Sequence, residues 1–291
     1  MADRPVRDPG PGEVRIAVKA AAVNPTDIGL RQRGGPGDPP WIPGMDAAGV
    51  VDAVGAGVDR LRERDEVMAA VSPRRPDGGA QAELIVVPAA SVVPIPNGAT
   101  LQEAATLPMN GLTAMLGLEM LSLANGQTLA VSGGAGLLAS YVIPLAKEQG
   151  LRVIADATPE DEELVRSFGA DVVVPRGERF TAAVREVVPE GVDALYDTAL
   201  LRREACPAIR DGGAMVVVRG WEGDTERGIV VHPVLVVNAL ERTEWLEHLR
   251  ELASAGRLQL RVAGEYPPEQ AAEAQQVMDA GGIRGRAVIV F

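Results

Sequence analysis

The most constraining feature of this 291-residue sequence is a change of rhythm at Gln127. From there short apolar runs alternate with stretches of helical period. TLAVSG precedes LLASYVIPLAKEQG, RVIADA precedes PEDEELVRSFG, and DVVV precedes TAAVREVV. ALYDTA then precedes the helix-like REACPAIRDGG, and AMVVVRG closes the series. Strands this apolar are buried on both faces, and short helices between them act as crossovers. The pattern predicts right-handed βαβ units around a parallel sheet. Its first strand-to-helix junction, VSGGAGLLAS, spaces Gly133, Gly136 and Ala139 at intervals of three. Gly133 suits the tight turn, Gly136 lets backbone approach a pyrophosphate, and Ala139 lets the helix lie close to the sheet. Backbone N–H groups at the helix start, those of Ala135, Leu137 and Leu138, then supply an anion site. A glycine triplet alone marks only a turn. With this strand, this helix and further βα segments around it, the triplet points to dinucleotide binding.

The residues before Gln127 read differently. VRIAVKAAAV, AGVVDAVG, DEVMAAV and AELIVV are short Val-rich runs cut by Gly and Pro, which predicts an antiparallel β domain. RQRGGPGDPP and SPRRPDGG read as loops. A helical stretch starts near Leu101 and is expected to break at Pro108 and Gly111. At the other end, a helix from about Thr243 to Ala255, a second in PEQAAEAQQVMDAGG and a closing strand RAVIVF complete an α/β chain. Pro144, inside the helix after the glycine turn, is expected to kink it.

Composition excludes several classes of function. The 28 Lys+Arg against 40 Asp+Glu leave a net charge of −12, wrong for neutralising the phosphates of a nucleic acid or an anionic lipid surface. No apolar run approaches the roughly 20 residues of a membrane span, and MADRPVRDPG is no signal peptide. The single Cys206 cannot form an intrachain disulfide, so a soluble cytoplasmic protein is expected. Cys206, His232 and His248 are scattered, and His248 falls in the amphipathic TEWLEHLRELASAG, so no metal site is expected.

Motifs along almost the whole chain resemble one family. GEVRIAVKAAAVNPTD, PGMDAAGVVDAVGAGVDRLRERDEV, GGAQAELIVVP, EAATLPMNGLTA, VSGGAG, FGADVVV, DGGAMVVVRG and GGIRGRAVIVF occur in its order. The sequence is similar to the zinc-free, quinone oxidoreductase-like group of the medium-chain dehydrogenase/reductase superfamily. The resemblance implies a GroES-like β-rich catalytic domain, residues 1–108 and 231–291, with a Rossmann domain of doubly wound parallel sheet, residues 109–230, inserted between its halves. Zinc-using relatives place a cysteine near Asp27 and Gly-His-Glu where this chain has Gly44-Met45-Asp46, so Pro25-Thr26 and Met45 imply that no zinc is used. Without that Lewis acid, hydride attack on a quinone, enone or enoyl-type double bond is the chemistry implied. A biosynthetic enzyme of non-redox or lost activity, and a non-enzymatic binding protein, are the alternatives.

Carried over by motif, Asn24 and Thr113 are the candidate catalytic residues beside nicotinamide and substrate. Asp46 reads equally as a buried structural partner. Arg176 matches a position near the cofactor's adenosine. Tyrosines that often follow VNPTD in relatives are replaced by Gly29 and RQRGG, leaving Trp41 as a pocket wall or a loop anchor. Relatives also begin with strands this chain barely reaches, so a hairpin is absent, opening the substrate side, or lies upstream of Met1. The cofactor is NADP(H) or NAD(H). Asp156 follows the glycine turn by about 20 residues, as in NAD-type fingerprints. With Glu160, Asp161 and Glu162 behind it, Asp156 is expected to oppose a 2′-phosphate unless Arg152 or Arg176 compensates. Relatives commonly pair through Rossmann edge strands, and IVVHPVLVV supplies such an edge for a homodimer acting on a small-molecule substrate.

Overall fold

The first strand, β1 (Glu13–Ala22), alternates buried and partly exposed residues as far as Val18, then buries Ala20, Ala21 and Ala22. That shift marks where one face stops meeting solvent and the strand enters the core. In the computed structural model, which describes residues 3–35 and 40–291, the chain continues through α1 (Pro25–Arg33), β2 (Asp46–Val54), β3 (Glu66–Ala70), β4 (Leu84–Pro88) and β5 (Val92–Pro94). Next come α2 (Leu101–Ala104), α3 (Pro108–Leu121), β6 (Thr128–Ser132), α4 (Leu137–Glu148), β7 (Arg152–Ala157) and α5 (Glu162–Ser167). They are followed by β8 (Val172–Pro175), α6 (Phe180–Val187), β9 (Val192–Asp197), β10 (Ile209–Val217) and β11 (Val230–Pro233). The last elements are α7 (Thr243–Ser254), β12 (Val262–Tyr266), α8 (Ala271–Ala280) and β13 (Arg286–Val290).

These elements form two compact units, Met1–Leu112 with Val237–Phe291, and Thr113–Val236. In the first, a seven-stranded sheet runs β12-β13-β1-β2-β3-β5, with β4 also on β1. All its pairs are antiparallel except β12 and β13, which run parallel. Val14, Ile16, Val51, Val67 and Val87 lie in one buried apolar cluster on it. In the second unit a six-stranded, wholly parallel sheet runs β11-β10-β9-β6-β7-β8. Sequence order reverses between β6 and β9, which opens a crevice at the C-terminal ends of those two strands.

Several local expectations need correction. Arg31–Arg33 belong to α1, not to a loop, because Asp27 in its first turn accepts the Asn24 N–H and Pro25 occupies its first position. Little apolar periodicity announces that helix. Residues 36–39 of the same stretch lie outside the described residues. Pro108 does separate α2 from α3, but Gly111 lies within α3, where a Cβ would come 2.6 Å from Leu249 Cδ1. Glycine there serves close packing. REACPAIRDGG is only a 3-10 turn over Arg202–Ala208, after which β10 begins at Ile209. Pro144 does fall inside the helix after the glycine turn, α4, which runs to Glu148. Among the described residues no helix is long and apolar enough to cross a membrane.

Candidate functional site

At the crevice, β6 ends in buried Ser132 and the glycine turn begins. Gly133 has φ +72°, and a Cβ on it would come 2.8 Å from Thr198 Oγ1, so both its backbone and its surroundings require glycine. A Cβ on Gly134 would run into the carbonyl oxygen of Asp156. Gly136 differs. Its φ of −68° is open to any residue, and a Cβ would meet only Gly133 O, at 3.1 Å. Beyond that one tight backbone contact no protein atom lies beside Gly136, which leaves room for a ligand to approach the backbone. Gly136 is the N-cap of α4 and provides no side-chain cap, leaving the first turn at Leu137 and Leu138 to an anion. Ala139 is fully buried where α4 meets the sheet.

Asp156 has a different job from the one expected of it. It lies within β7, 2% exposed, and Oδ1 accepts the Gly134 N–H at 2.8 Å. Its carboxyl braces the glycine turn from beneath and is turned away from the surface. Burial pushes its pKa up, opposed by the turn's backbone N–H groups and by Arg176. The acidic segment behind it is also partly spent, since Thr158 donates to Asp161 (3.0 Å) and Glu162 pairs with Arg166 (2.7 Å). Arg176 is exposed just past β8, its N–H on Ala157 O at 3.1 Å, at the edge of the sheet that carries the turn. Arg152 starts β7 and so lies at the opposite edge, on the order of 15 Å along the strand from Ala157. Of the two arginines, Arg176 is the one at the end of the sheet that carries the glycine turn.

In the first unit Asn24 and Asp46 sit in a buried polar network. Asn24 is fully buried, and both ends of its carboxamide are engaged. Its Nδ2 donates to Asp46 Oδ2 (2.6 Å), while Oδ1 accepts from Arg286 Nε (2.9 Å) and Asn110 Nδ2 (3.2 Å). Arg286 also donates to Asn110 Oδ1 (2.7 Å). Asp46 Oδ1 accepts the Met109 N–H (2.6 Å) and so caps the first turn of α3. Asp27 accepts the N–H groups of Asn24 (2.7 Å) and Gly44 (2.8 Å). Thus Asn24 binds four segments together and Asp46 is a buried structural partner. Thr113 lies further along α3, also buried, and its carbonyl accepts the Tyr196 hydroxyl at 2.6 Å. Burial drives the Tyr196 phenol well above its usual range. Trp41 is half-buried, and Cβ atoms on Gly34 and Gly35 would come 2.8 and 2.9 Å from its ring, so it anchors the return from α1. Among the described residues no group of three His, Cys, Asp or Glu side chains could hold a metal ion.

The two aspartates give the network a pH signature. Burial raises Asp27 to about 6 and Asp46 to about 7, and the donors aimed at them offset this only in part. Arg286 is the facing cation, and each aspartate also faces the other. The folded chain keeps these protons over a range where the unfolded chain has lost them, so stability falls as pH rises from about 4 to about 7. Glu13, held down to about 2 by Arg7, titrates below that window. Calorimetry should show Tm declining between about pH 5 and pH 7.5, and Asp46→Asn should flatten the decline. A wild-type Tm that climbs over the same interval would contradict this assignment.

Residues 10–97 match the alcohol dehydrogenase GroES-like domain family and residues 168–289 the zinc-binding dehydrogenase family. The chain is 30% identical to the 2-methylene-furan-3-one reductase of Solanum lycopersicum over 95% of its own length and 71% of that protein. It is 31% identical to the chloroplastic NADPH-dependent alkenal/one oxidoreductase of Arabidopsis thaliana, over 95% and 72%. The chain belongs to the medium-chain dehydrogenase/reductase superfamily. Within that superfamily a mycobacterial protein solved in complex with NADPH superposes with a TM-score of 0.86 at 26% identity, over 100% of this chain and 95% of the other. The superfamily's α/β pairing of a mixed sheet and a parallel, Rossmann-type sheet is the fold described above.

Sequence reasoning missed Asp27, Asn110 and Arg286. Their signals were present but faint: an asparagine in the apolar stretch LPMNGL, and an arginine heading the apolar strand RAVIV. Ser132 and Asp197, which end adjacent strands β6 and β9, were also passed over.

Proposed function

We propose that this chain is an NADPH-dependent reductase that delivers hydride to the activated C=C bond of an enone, alkenal, enoyl-type substrate or quinone. The carrying observation is the glycine turn at the switch point, where only Gly133 O lies close beside Gly136, in a chain related to an NADPH-dependent alkenal/one oxidoreductase. Gly133, Ala135, Gly136, Leu137 and Leu138 would hold the pyrophosphate, and Arg176 the 2′-phosphate. The bound nicotinamide supplies the hydride. The polar network of Asn24, Asp46, Asn110 and Arg286 fixes the start of α3, and Asn24 and Thr113 are the residues assigned to substrate and nicotinamide. Trp41 retains a second role as part of the pocket wall. Met45 and Pro25-Thr26, at positions where zinc-using relatives place ligands, favour reduction without a metal. A cytoplasmic homodimer pairing through β11 completes the reading, supported by the edge position of β11 and exposed Val230. A monomer in light scattering would remove the pairing.

NADPH oxidation should be followed at 340 nm with a panel of quinones, enones, alkenals and enoyl thioesters. Turnover of at least one class is expected, with NADPH preferred over NADH. Arg176→Ser should weaken NADPH about tenfold and NADH little, since a phosphate–guanidinium contact is lost. Cofactor bound without turnover of any acceptor would overturn the reductase reading.

A further inference from the structure

Beside the glycine turn, the loop after β9 is held in an unfavourable shape. Leu200 has φ +62° and Arg202 φ +54°, in the left-handed region that bulky side chains avoid. Leu200 is only partly buried, so packing does not dictate a leucine in that conformation. The hydrogen bonds around it do the holding. Asp197, 1% exposed at the end of β9, accepts the N–H groups of Leu201 (3.0 Å) and Arg202 (2.7 Å) and the hydroxyl of Ser132 (2.7 Å). Ser132 Oγ in turn accepts the Ala199 N–H (3.2 Å), and Thr198 Oγ1 donates to Ser132 O (2.5 Å). The loop is thereby tied to the strand that leads into the glycine turn, with Thr198 against Gly133.

We infer that Asp197 is a positioning residue for the cofactor. Through Ser132 and the N–H groups of Leu201 and Arg202 it keeps the 198–202 loop over the crevice and sets the wall facing the glycine turn. The inference rests on the dinucleotide reading of that turn and adds to it a second strand end. If Asp197 works by holding a strained loop, removing the strain should substitute for Asp197. Glycine adopts a left-handed φ without penalty, so Leu200→Gly should lessen the loop's dependence on the carboxylate.

The test is NADPH affinity by fluorescence titration, read beside the Tm of the cofactor-free chain, for wild type, Asp197→Asn, Leu200→Gly and the double variant. An amide NH2 cannot accept, so Asp197→Asn breaks at least one of the three bonds, and its Kd should rise about tenfold. Leu200→Gly alone should bind like wild type, and in the Asp197→Asn background it should recover roughly threefold or more. A part in stability alone would lower Tm, leave Kd unchanged and show no recovery. Either an unaltered Kd in Asp197→Asn or no recovery in the double variant overturns the inference. If Asp197→Asn does not fold, Ser132→Ala takes its place, with a Kd about threefold weaker supporting the inference and an unaltered one overturning it. If wild type itself fails to bind NADPH and NADH, the dinucleotide reading fails. If wild type binds and the Asp197 and Ser132 variants bind as it does, the positioning inference fails while the dinucleotide reading stands.

Discussion

Gly136→Val is expected to abolish nicotinamide cofactor binding in a chain that remains folded. The backbone at Gly136, φ −68° and ψ 160°, is open to residues other than glycine, and a Cβ there presses only on Gly133 O, at 3.1 Å. The valine methyl groups would instead occupy the space assigned to the pyrophosphate. The Kd for NADPH should rise by about a hundredfold or more while Tm moves by no more than about 2 °C. Gly134→Ala is the informative contrast. Its Cβ would run into Asp156 O, so that variant should lose stability whether or not cofactor is present. If Gly136→Val binds NADPH as wild type does, the turn is a structural corner and the anion site lies elsewhere.

Arg286→Leu should produce the opposite pattern, a large loss of stability with cofactor affinity retained. The substitution strips donors from Asn24 Oδ1 and Asn110 Oδ1 and removes the cation facing two buried aspartates. Breaking such a network costs about 3 kcal/mol, a fall in Tm of roughly 6 °C or more. Arg286→Lys should recover only part of this, because one ammonium cannot reproduce the two-pronged contact to both asparagines. The NADPH affinity should change less than about threefold, since the glycine turn belongs to the other unit. A Tm within about 1 °C of wild type would show that solvent compensates the network and that Arg286 is dispensable.

The parallel sheet was legible in the sequence because its central strands each carry a short buried apolar run followed by a helical or turn segment. Strand β12 was not, since VAGEY buries almost nothing and its pairing to β13 is made by backbone. Helix α1 escaped for a related reason: its start depends on Asp27 accepting the Asn24 N–H, and its exposed face is polar. At the site, Gly133 and Gly136 could be named from spacing alone, yet spacing could not say which of them the fold needs and which a ligand needs. Only the room around each Cβ separates the two. Asp156 shows the limit from the other side. Counting from the turn found the right residue, but which way a strand side chain points decides whether it meets the ribose or the turn's own N–H groups. Asn24 was found through its motif, while its partners Asn110 and Arg286 lie far along the chain, and no local pattern connects them.

The central claim is hydride transfer from the nicotinamide to a carbon–carbon double bond, and the position of a label tests it most directly. NADPH carrying deuterium at the transferable C4 position would be incubated with the enzyme and the best enone of the panel, and the product examined by NMR. The account requires a saturated ketone with one deuterium on the β-carbon and the α-hydrogen drawn from solvent. Deuterium on the carbonyl carbon of an allylic alcohol, or none in the product, would contradict it.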